Sequence, residues 1–358
     1  MPAVRHNYAL ASDNTAGVCP EALAAITEVN AGRAPSYGGD AHTARAKRLF
    51  HDIFETKCEV FFVFNGTASN ALVLAAMCQR HHSIICHAMS HADNDECGAP
   101  EFFTGGSKVL TIEAPLGKLR PADIEPVLRR GHDVHFPKAR AISLTQSSEL
   151  GTVYTPDELR AVTKFAHARG LVVQVDGARF ANAAAALGLR GHSPADLTWR
   201  AGVDVLCFGG TKNGLLTTEA VVFFNKDLAR EFDYRVKQSG QLASKMRFAT
   251  TQWTAVLRDG AWLRHALHAN SMATKLATGL RKLGFKLLAP VEANGVFVEL
   301  APTLVRALEK RGWHFYKFVG DHGYRFMCSW QTSDEDVAGL LQDAAAAAKK
   351  SPRPKPRA

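Results

Sequence analysis

Short unbroken apolar runs recur through the first two thirds of the chain, at 59–64, 83–87, 108–112, 141–145, 171–176, 203–208 and 219–224. They do not alternate with polar residues, the pattern expected of strands covered on both faces. Amphipathic stretches lie between several of them. One opens on Thr155-Pro-Asp-Glu158, where threonine caps, proline takes the first helical position and glutamate completes a capping box. Strands separated by helices predict an α/β fold with a mostly parallel, doubly wound sheet.

The pattern changes after about residue 250. One long helical stretch is expected over 253–283, with Gly260 and Gly279 as weak points and Gly284 as its stop. Strand-like segments at 286–288 and 295–300, a helix at 303–310, a strand at 324–330 and a last helix capped by Ser333 follow. The expected organisation is therefore a large domain over 14–250, a smaller α+β domain over 251–345 joined by residues 1–13, and a tail over 346–358.

The net charge of +9 raises the question of a nucleic-acid partner, and its location answers it. Lys349, Lys350, Arg353, Lys355 and Arg357 crowd a proline-containing tail with no acid, leaving about +4 for the rest. Such a tail reads as disordered and solubilising. No nucleic-acid reader motif is present, and no apolar run approaches a membrane span. The first residues lack the order of a secretory signal. Seven cysteines without a CxxC pair suit reduced thiols in a cytoplasm, with no metal site expected.

Four local patterns carry chemistry. Gly-Gly-Thr-Lys-Asn-Gly at 209–214 places Lys212 in a tight turn at a strand's carboxyl end, where open α/β sheets bind ligands and where an amine can form a Schiff base. Gln174-Val-Asp-Gly-Ala-Arg179 ends another strand. Its Asp176 can pair with a protonated pyridine nitrogen, and Arg179 offers a planar fork for a carboxylate; mutual pairing or helix capping is the structural alternative. Asn65-Gly-Thr-Ala-Ser-Asn70 opens a helix with small residues suited to a phosphate, although Thr67 or Ser69 could be a plain N-cap. His91, after the strand at 83–87, could stack on a flat ring or move a proton.

In this order the patterns resemble fold-type-I pyridoxal-phosphate enzymes, and within them the threonine aldolase family, from Ser12 to about Arg325. Ser12-Asp13-Asn14 matches that family's opening, and Tyr37-Gly38-Gly39-Asp40 is similar to its Tyr-Gly-Asp-Asp. Gly66-Thr67 matches its phosphate turn, His91 with Glu96 its His-x4-Glu, and Asp-Gly-Ala-Arg179 its signature. Tyr-Arg325-Phe sits where the family has a carboxylate-binding arginine. The chain departs at 146–149, where the family has Glu-Asn-Thr-His, and in the lysine turn, which departs from Ser-Lys-Gly-Leu.

The resemblance implies an aspartate aminotransferase-like, three-layer αβα large domain with a smaller C-terminal α+β domain. It implies pyridoxal 5'-phosphate held by Lys212, Asp176, Gly66, Thr67, His91 and Arg179, with substrate bound by Ser12, Arg179, Arg325 and His135. The expected reaction is cleavage of L-β-hydroxy-α-amino acids of the threonine, allo-threonine or phenylserine type to glycine and an aldehyde. The base is left open between His91, His135 and an ordered water. A homodimer or homotetramer is implied, with Lys237 and Arg247 as candidate phosphate contacts, one subunit to the next. Transamination, β-elimination, racemisation or a non-catalytic binding role are the alternatives on this scaffold.

Overall fold

The computed structural model describes residues 6–131 and 133–348. Seven strands form the main sheet: β1 (Glu59–Val63), β2 (His82–His87), β3 (Lys108–Ile112), β4 (Lys138–Thr145), β5 (Val172–Gly177), β6 (Val205–Gly209) and β7 (Glu219–Phe223). Their spatial order is β1-β7-β6-β5-β4-β2-β3. The β3-β2-β4-β5-β6 block is parallel, and β7 runs antiparallel to both β6 and β1. β5, β6 and β7 are buried along their whole length, which explains their unbroken apolar runs. Helices cover both faces. On one, Phe50, Phe54, Phe180, Phe208, Trp253 and Trp262 form a chain of ring contacts 5.1–6.4 Å apart. On the other, the helix Gly66–Met77 packs its Leu72, Val73, Leu74 and Met77 over the sheet.

The expected capping box is present: Thr155 Oγ1 accepts from the Glu158 N–H at 3.2 Å, and Glu158 Oε2 accepts from the Thr155 N–H at 2.8 Å. The expected single helix over 253–283 is two, Arg247–Arg258 and Ala261–Lys282. Gly260 between them adopts φ +67°, a left-handed conformation that ends the first helix. Gly279 stays helical; a Cβ there would fall 2.2 Å from Leu341, so the glycine admits the last helix at close range.

A second sheet contains β8 (Gly295–Glu299), β9 (Tyr316–Val319) and β10 (Gly323–Met327), in the order β8-β10-β9. Its apolar face packs with Leu276, Leu280, Leu304, Leu308 and Leu340, and Leu10 from the N-terminal segment joins this cluster. The segment 286–288 forms no strand, only an isolated bridge of Leu287 with Val298, and β9 has no counterpart in the hydrophobic pattern. β10 ends at Met327 where a strand to 330 was expected. Ser333 does cap the final helix, its Oγ accepting from the Asp336 N–H at 3.1 Å. That helix, Asp334–Ala348, takes in residues 346–348 because the alanine run continues it, so the tail cannot begin at 346; 349–358 lie outside the described residues. Among the described residues no helix is long and apolar enough to cross a membrane.

Candidate active site

The carboxyl ends of β5 and β6 and the start of the helix Gly66–Met77 enclose a cavity of about 280 Å³, lined among others by Asn14, Gly66, Thr67, His91, Asp176 and Lys212. Two tight glycine positions bring this about. A Cβ on Gly209 would meet the Ala178 carbonyl at 2.4 Å, so the lysine turn lies directly against the Asp-Gly-Ala-Arg turn. At Gly210 it would meet the Thr218 carbonyl, also at 2.4 Å. Lys212 sits in the single 3₁₀ turn Thr211–Asn213, which Gly214 closes at φ +95°.

The helix Gly66–Met77 is capped by Asn65, whose side chain accepts from the Ala68 N–H at 2.9 Å; neither Thr67 nor Ser69 is the cap. Gly66 and Thr67 therefore occupy its first two positions, where N–H groups have no carbonyl within the helix and the dipole favours an anion.

Asp176 is almost fully buried. Its Oδ1 accepts from the Ala178 N–H at 3.0 Å and its Oδ2 from Asn70 Nδ2 at 2.9 Å. The same Asn70 nitrogen donates to Glu96 Oε1 at 2.9 Å, and Glu96 Oε1 lies 3.0 Å from His91 Nδ1. Gln174 fixes this amide by donating to Asn70 Oδ1 at 2.8 Å. The hydrogen bond to Glu96 raises the His91 pKa against the opposing effect of burial. Burial pushes the Glu96 carboxyl up, eased by its bonds to His91 and Asn70.

Arg179 does not pair with Asp176. Its Nε and Nη2 donate to Asp13 Oδ2 and Oδ1 at 2.6 and 3.0 Å, and Asn294 adds a third bond to Asp13 at 3.1 Å. Burial would raise the Asp13 pKa, but the charge and hydrogen bonds of Arg179, with Lys212 nearby, hold it below the usual value. Ser12, also buried, caps the short turn Asp13–Thr15 through Asn14. Arg325 on β10 lies over the rings of Phe318 and Tyr316 at 4.7 and 5.9 Å, within electrostatic reach of Arg179, Asp13 and Glu149. Its Nε is buried and has no partner among the described residues. Burial and Arg179 lower its pKa.

His135 is not brought to this cavity. It is exposed in the loop preceding β4, at the amino end of a parallel strand whose carboxyl end faces the site, which removes it from substrate contact within this chain. Lys237 is exposed with its ammonium 4.7 Å over the Tyr37 ring, and Arg247 lies over Phe248; neither lines the cavity.

Three acidic residues gain a place that the sequence motifs did not give them. Asp13 binds Arg179. Glu149 is half-buried near Arg179, with desolvation pushing its carboxyl up. Glu219, at the start of β7, accepts from the Gly210 N–H at 2.5 Å and lines the cavity; burial pushes it up to about 7. The only signal for Glu219 was an acid opening an otherwise apolar run.

The donor set fits pyridoxal phosphate. Ser69 and Thr211 add hydroxyls to the cavity wall, beside Cys207 and Glu219, that can also donate to a group rich in acceptors. Asp176 stands ready for a ring N–H and the helix start for a phosphate. The distances from one end to the other are spanned by a single cavity.

A family described as beta-eliminating lyase matches residues 9–303. The chain is 55% identical over 339 residues to the low specificity L-threonine aldolase of Pseudomonas aeruginosa, covering 94% of this chain and 97% of that protein. It is 53% identical over 334 residues to the protein of the same description from a Pseudomonas species, covering 93% and 96%. The threonine aldolase of Leishmania major superposes with a TM-score of 0.87 at 27% identity, over 94% of this chain and 98% of that one. The serine palmitoyltransferase of Sphingomonas wittichii shares the fold, with a TM-score of 0.73 at 15% identity over 95% and 86%. Cavity, cofactor-type donor set and relatives agree: the chain belongs to the beta-eliminating lyase family and, within it, to the fold-type-I, pyridoxal-phosphate-dependent threonine aldolases.

Proposed function

We propose that this protein cleaves L-β-hydroxy-α-amino acids of the threonine, allo-threonine and phenylserine type to glycine and an aldehyde. The observation that carries the reading is the meeting of Lys212 and Asp176 in one cavity, with Arg325 close by holding a buried, unpartnered Nε. Pyridoxal phosphate, when bound, supplies an electron sink for the pair released at Cα.

Each residue then has a task. Lys212 would hold the cofactor through its amine. Asp176, fixed by Asn70 and the Ala178 N–H, would accept the ring N–H of the bound cofactor. Gly66 and Thr67 receive the phosphate at the helix start. Arg325 binds the substrate carboxylate with its open edge. Arg179, with Nε and Nη2 on Asp13, adds charge and at most its remaining nitrogen, and Ser12 supports this corner. Holding the carboxylate would orient the Cα–Cβ bond of the substrate against the bound cofactor and so favour its cleavage. His91 is our choice for the group that accepts the β-hydroxyl proton, directly or through a water, because Glu96 orients its Nδ1 and leaves Nε2 for exchange.

In this reading the chain works in the cytoplasm as a homodimer or homotetramer, and Lys237 and Arg247 serve the phosphate of a neighbouring subunit. The division into 14–250 and 251–345 with the N-terminal segment is kept as part of the same proposal. Incubation of the holoenzyme with L-threonine and L-phenylserine tests the reaction: equal amounts of glycine and aldehyde are expected. A 2-keto acid with ammonia, or conversion of the cofactor to its amine form, would replace the aldolase reading by elimination or transamination.

A further inference from the structure

Behind the lysine turn, Cys19, Glu21 and His265 each offer a ligand atom, and these atoms lie within 4.8 Å of one another. Cys19 precedes the helix Pro20–Val29, Glu21 is in that helix's first turn, and His265 projects from the helix Ala261–Lys282. His265 Nε2 is 3.1 Å from Glu21 Oε2, whereas Glu21 Oε1 faces Arg264 at 4.0 Å. None of the three belongs to the cavity that holds Lys212. We propose that Cys19, Glu21 and His265 form a binding site for a thiophilic divalent cation, Zn²⁺ foremost, that fastens the turn carrying Lys212 to these two helices.

The geometry fits a tetrahedral centre. Metal–ligand lengths of about 2.0–2.3 Å place neighbouring tetrahedral ligand atoms about 3.3–3.8 Å apart. No separation exceeds 4.8 Å, so closing them to that range takes at most about 1–1.5 Å, within reach of side-chain rotation. The set of one sulfur, one imidazole nitrogen and one carboxylate oxygen selects Zn²⁺ over Mg²⁺ or Ca²⁺, which prefer oxygen alone. A water completes the fourth position.

Protons and charge also balance. Glu21 enters ionised: burial opposes this, but its own helix N–H and His265 hold its carboxyl below the ordinary value. The Cys19 thiol is pushed up by burial to about 11, so it is a neutral thiol without metal. Binding forms Zn–S, Zn–N and Zn–O bonds and releases the Cys19 proton to solvent. Thiolate and carboxylate then neutralise the two positive charges.

The link to the active site runs through the backbone. The Cys19 N–H donates to the Gly214 carbonyl at 2.8 Å, and Gly214 closes the turn that carries Lys212. A Cβ on Gly214 would fall 2.9 Å from the Cys19 Cβ and 3.2 Å from Trp330. Trp330 in turn sits 5.5 Å from the His265 ring and donates to the Gly17 carbonyl at 3.0 Å. A cation here therefore pins three segments that meet on the lysine turn.

The test uses chelator-treated holoenzyme titrated with Co²⁺, whose tetrahedral d–d absorption lies to the red of the cofactor. One equivalent should give an intense tetrahedral spectrum, abolished by one equivalent of Zn²⁺ and absent in Cys19→Ser and His265→Ala. Cys97→Ser, which alters the exposed cysteine, should retain it. Zn²⁺ at 100 times its Kd should raise the unfolding temperature of the wild type by about 4 °C, and not that of Glu21→Gln, which covers the case of a Cys19 variant that fails to fold. A weak six-coordinate spectrum in the wild type, or a tetrahedral one that survives Cys19→Ser, would overturn the site.

Discussion

Replacing Asp13 by asparagine should destabilise the protein more than any loss of a surface ion pair could. Asp13 is 2% exposed, and both its oxygens are engaged by Arg179, with Asn294 as a third donor. Removing its charge strands the largely buried Arg179 guanidinium, whose side chain is 12% exposed. Breaking one partner of a buried pair costs about 3–5 kcal/mol; retention of an amide oxygen puts Asp13→Asn near the lower figure. For a chain of this length the entropy of unfolding is about 0.7 kcal/mol per kelvin, so the midpoint should fall by about 4–7 °C. The assay is thermal unfolding of the wild type, Asp13→Asn, Arg179→Gln and the double variant at one pH and cofactor concentration. The double variant should lose clearly less than the sum of the singles, because it leaves no unpaired charge. Additive losses, or a shift within 1 °C for Asp13→Asn, would show that the pair is not a buried unit and that Arg179 is free to serve as a full carboxylate fork.

Three other outcomes follow from the same geometry. Arg325→Lys should raise KM about tenfold or more, since an ammonium cannot replace the planar donor edge whose Nε is otherwise unpartnered; unchanged KM in steady-state kinetics would take the substrate carboxylate away from Arg325. Glu96→Gln removes the first cause of the raised His91 pKa, so the acid limb of the pH–rate profile should move to lower pH with kcat reduced; an unmoved limb would assign it to another base. Glu219, buried and pushed up to about 7 from 4.5, keeps its proton in the folded state over that window while the unfolded chain loses it. Stability contributed by this group therefore falls as pH rises from 4.5 to 7, and Glu219→Gln should be more stable than wild type at pH 8 and not at pH 4; equal midpoints at both pH values would contradict this.

How much was legible in the sequence depended on how far each signal reached along the chain. The parallel block announced itself because β4, β5 and β6 are buried on both faces and must read as apolar runs. Lys212, Asp176, Gly66 and His91 were legible because each lies at or just beyond the carboxyl end of a strand, and topology alone then carries them to one crevice. The pairing of Arg179 was not, since Asp13 lies 166 residues away and nothing local selects it over Asp176. His135 failed for the opposite reason: it stands just before a strand, and in a parallel sheet that end is remote from the site. β9 is half exposed, with Tyr316 and Lys317 facing out, so no hydrophobic pattern marked it.

The placement of Asn70 shows why the site needs more than its motif residues. Asn70 lies one helical turn beyond Gly66, so the helix whose start suits a phosphate also carries the amide that serves Asp176 and Glu96. Burial raises the Glu96 pKa, and the charge of Asp176 acts in the same direction. The Asn70 NH₂ offers a separate hydrogen to each oxygen, and Gln174 prevents it from turning its carbonyl toward them. One amide thus holds both carboxylates, with Glu96 still on His91. The strand that supplies Gln174 supplies Asp176 two residues later on the same face. Asp176, the amide that holds it and, through Glu96, His91 are thereby linked to one strand and one helix, and a change at Asn70 would disturb all three together.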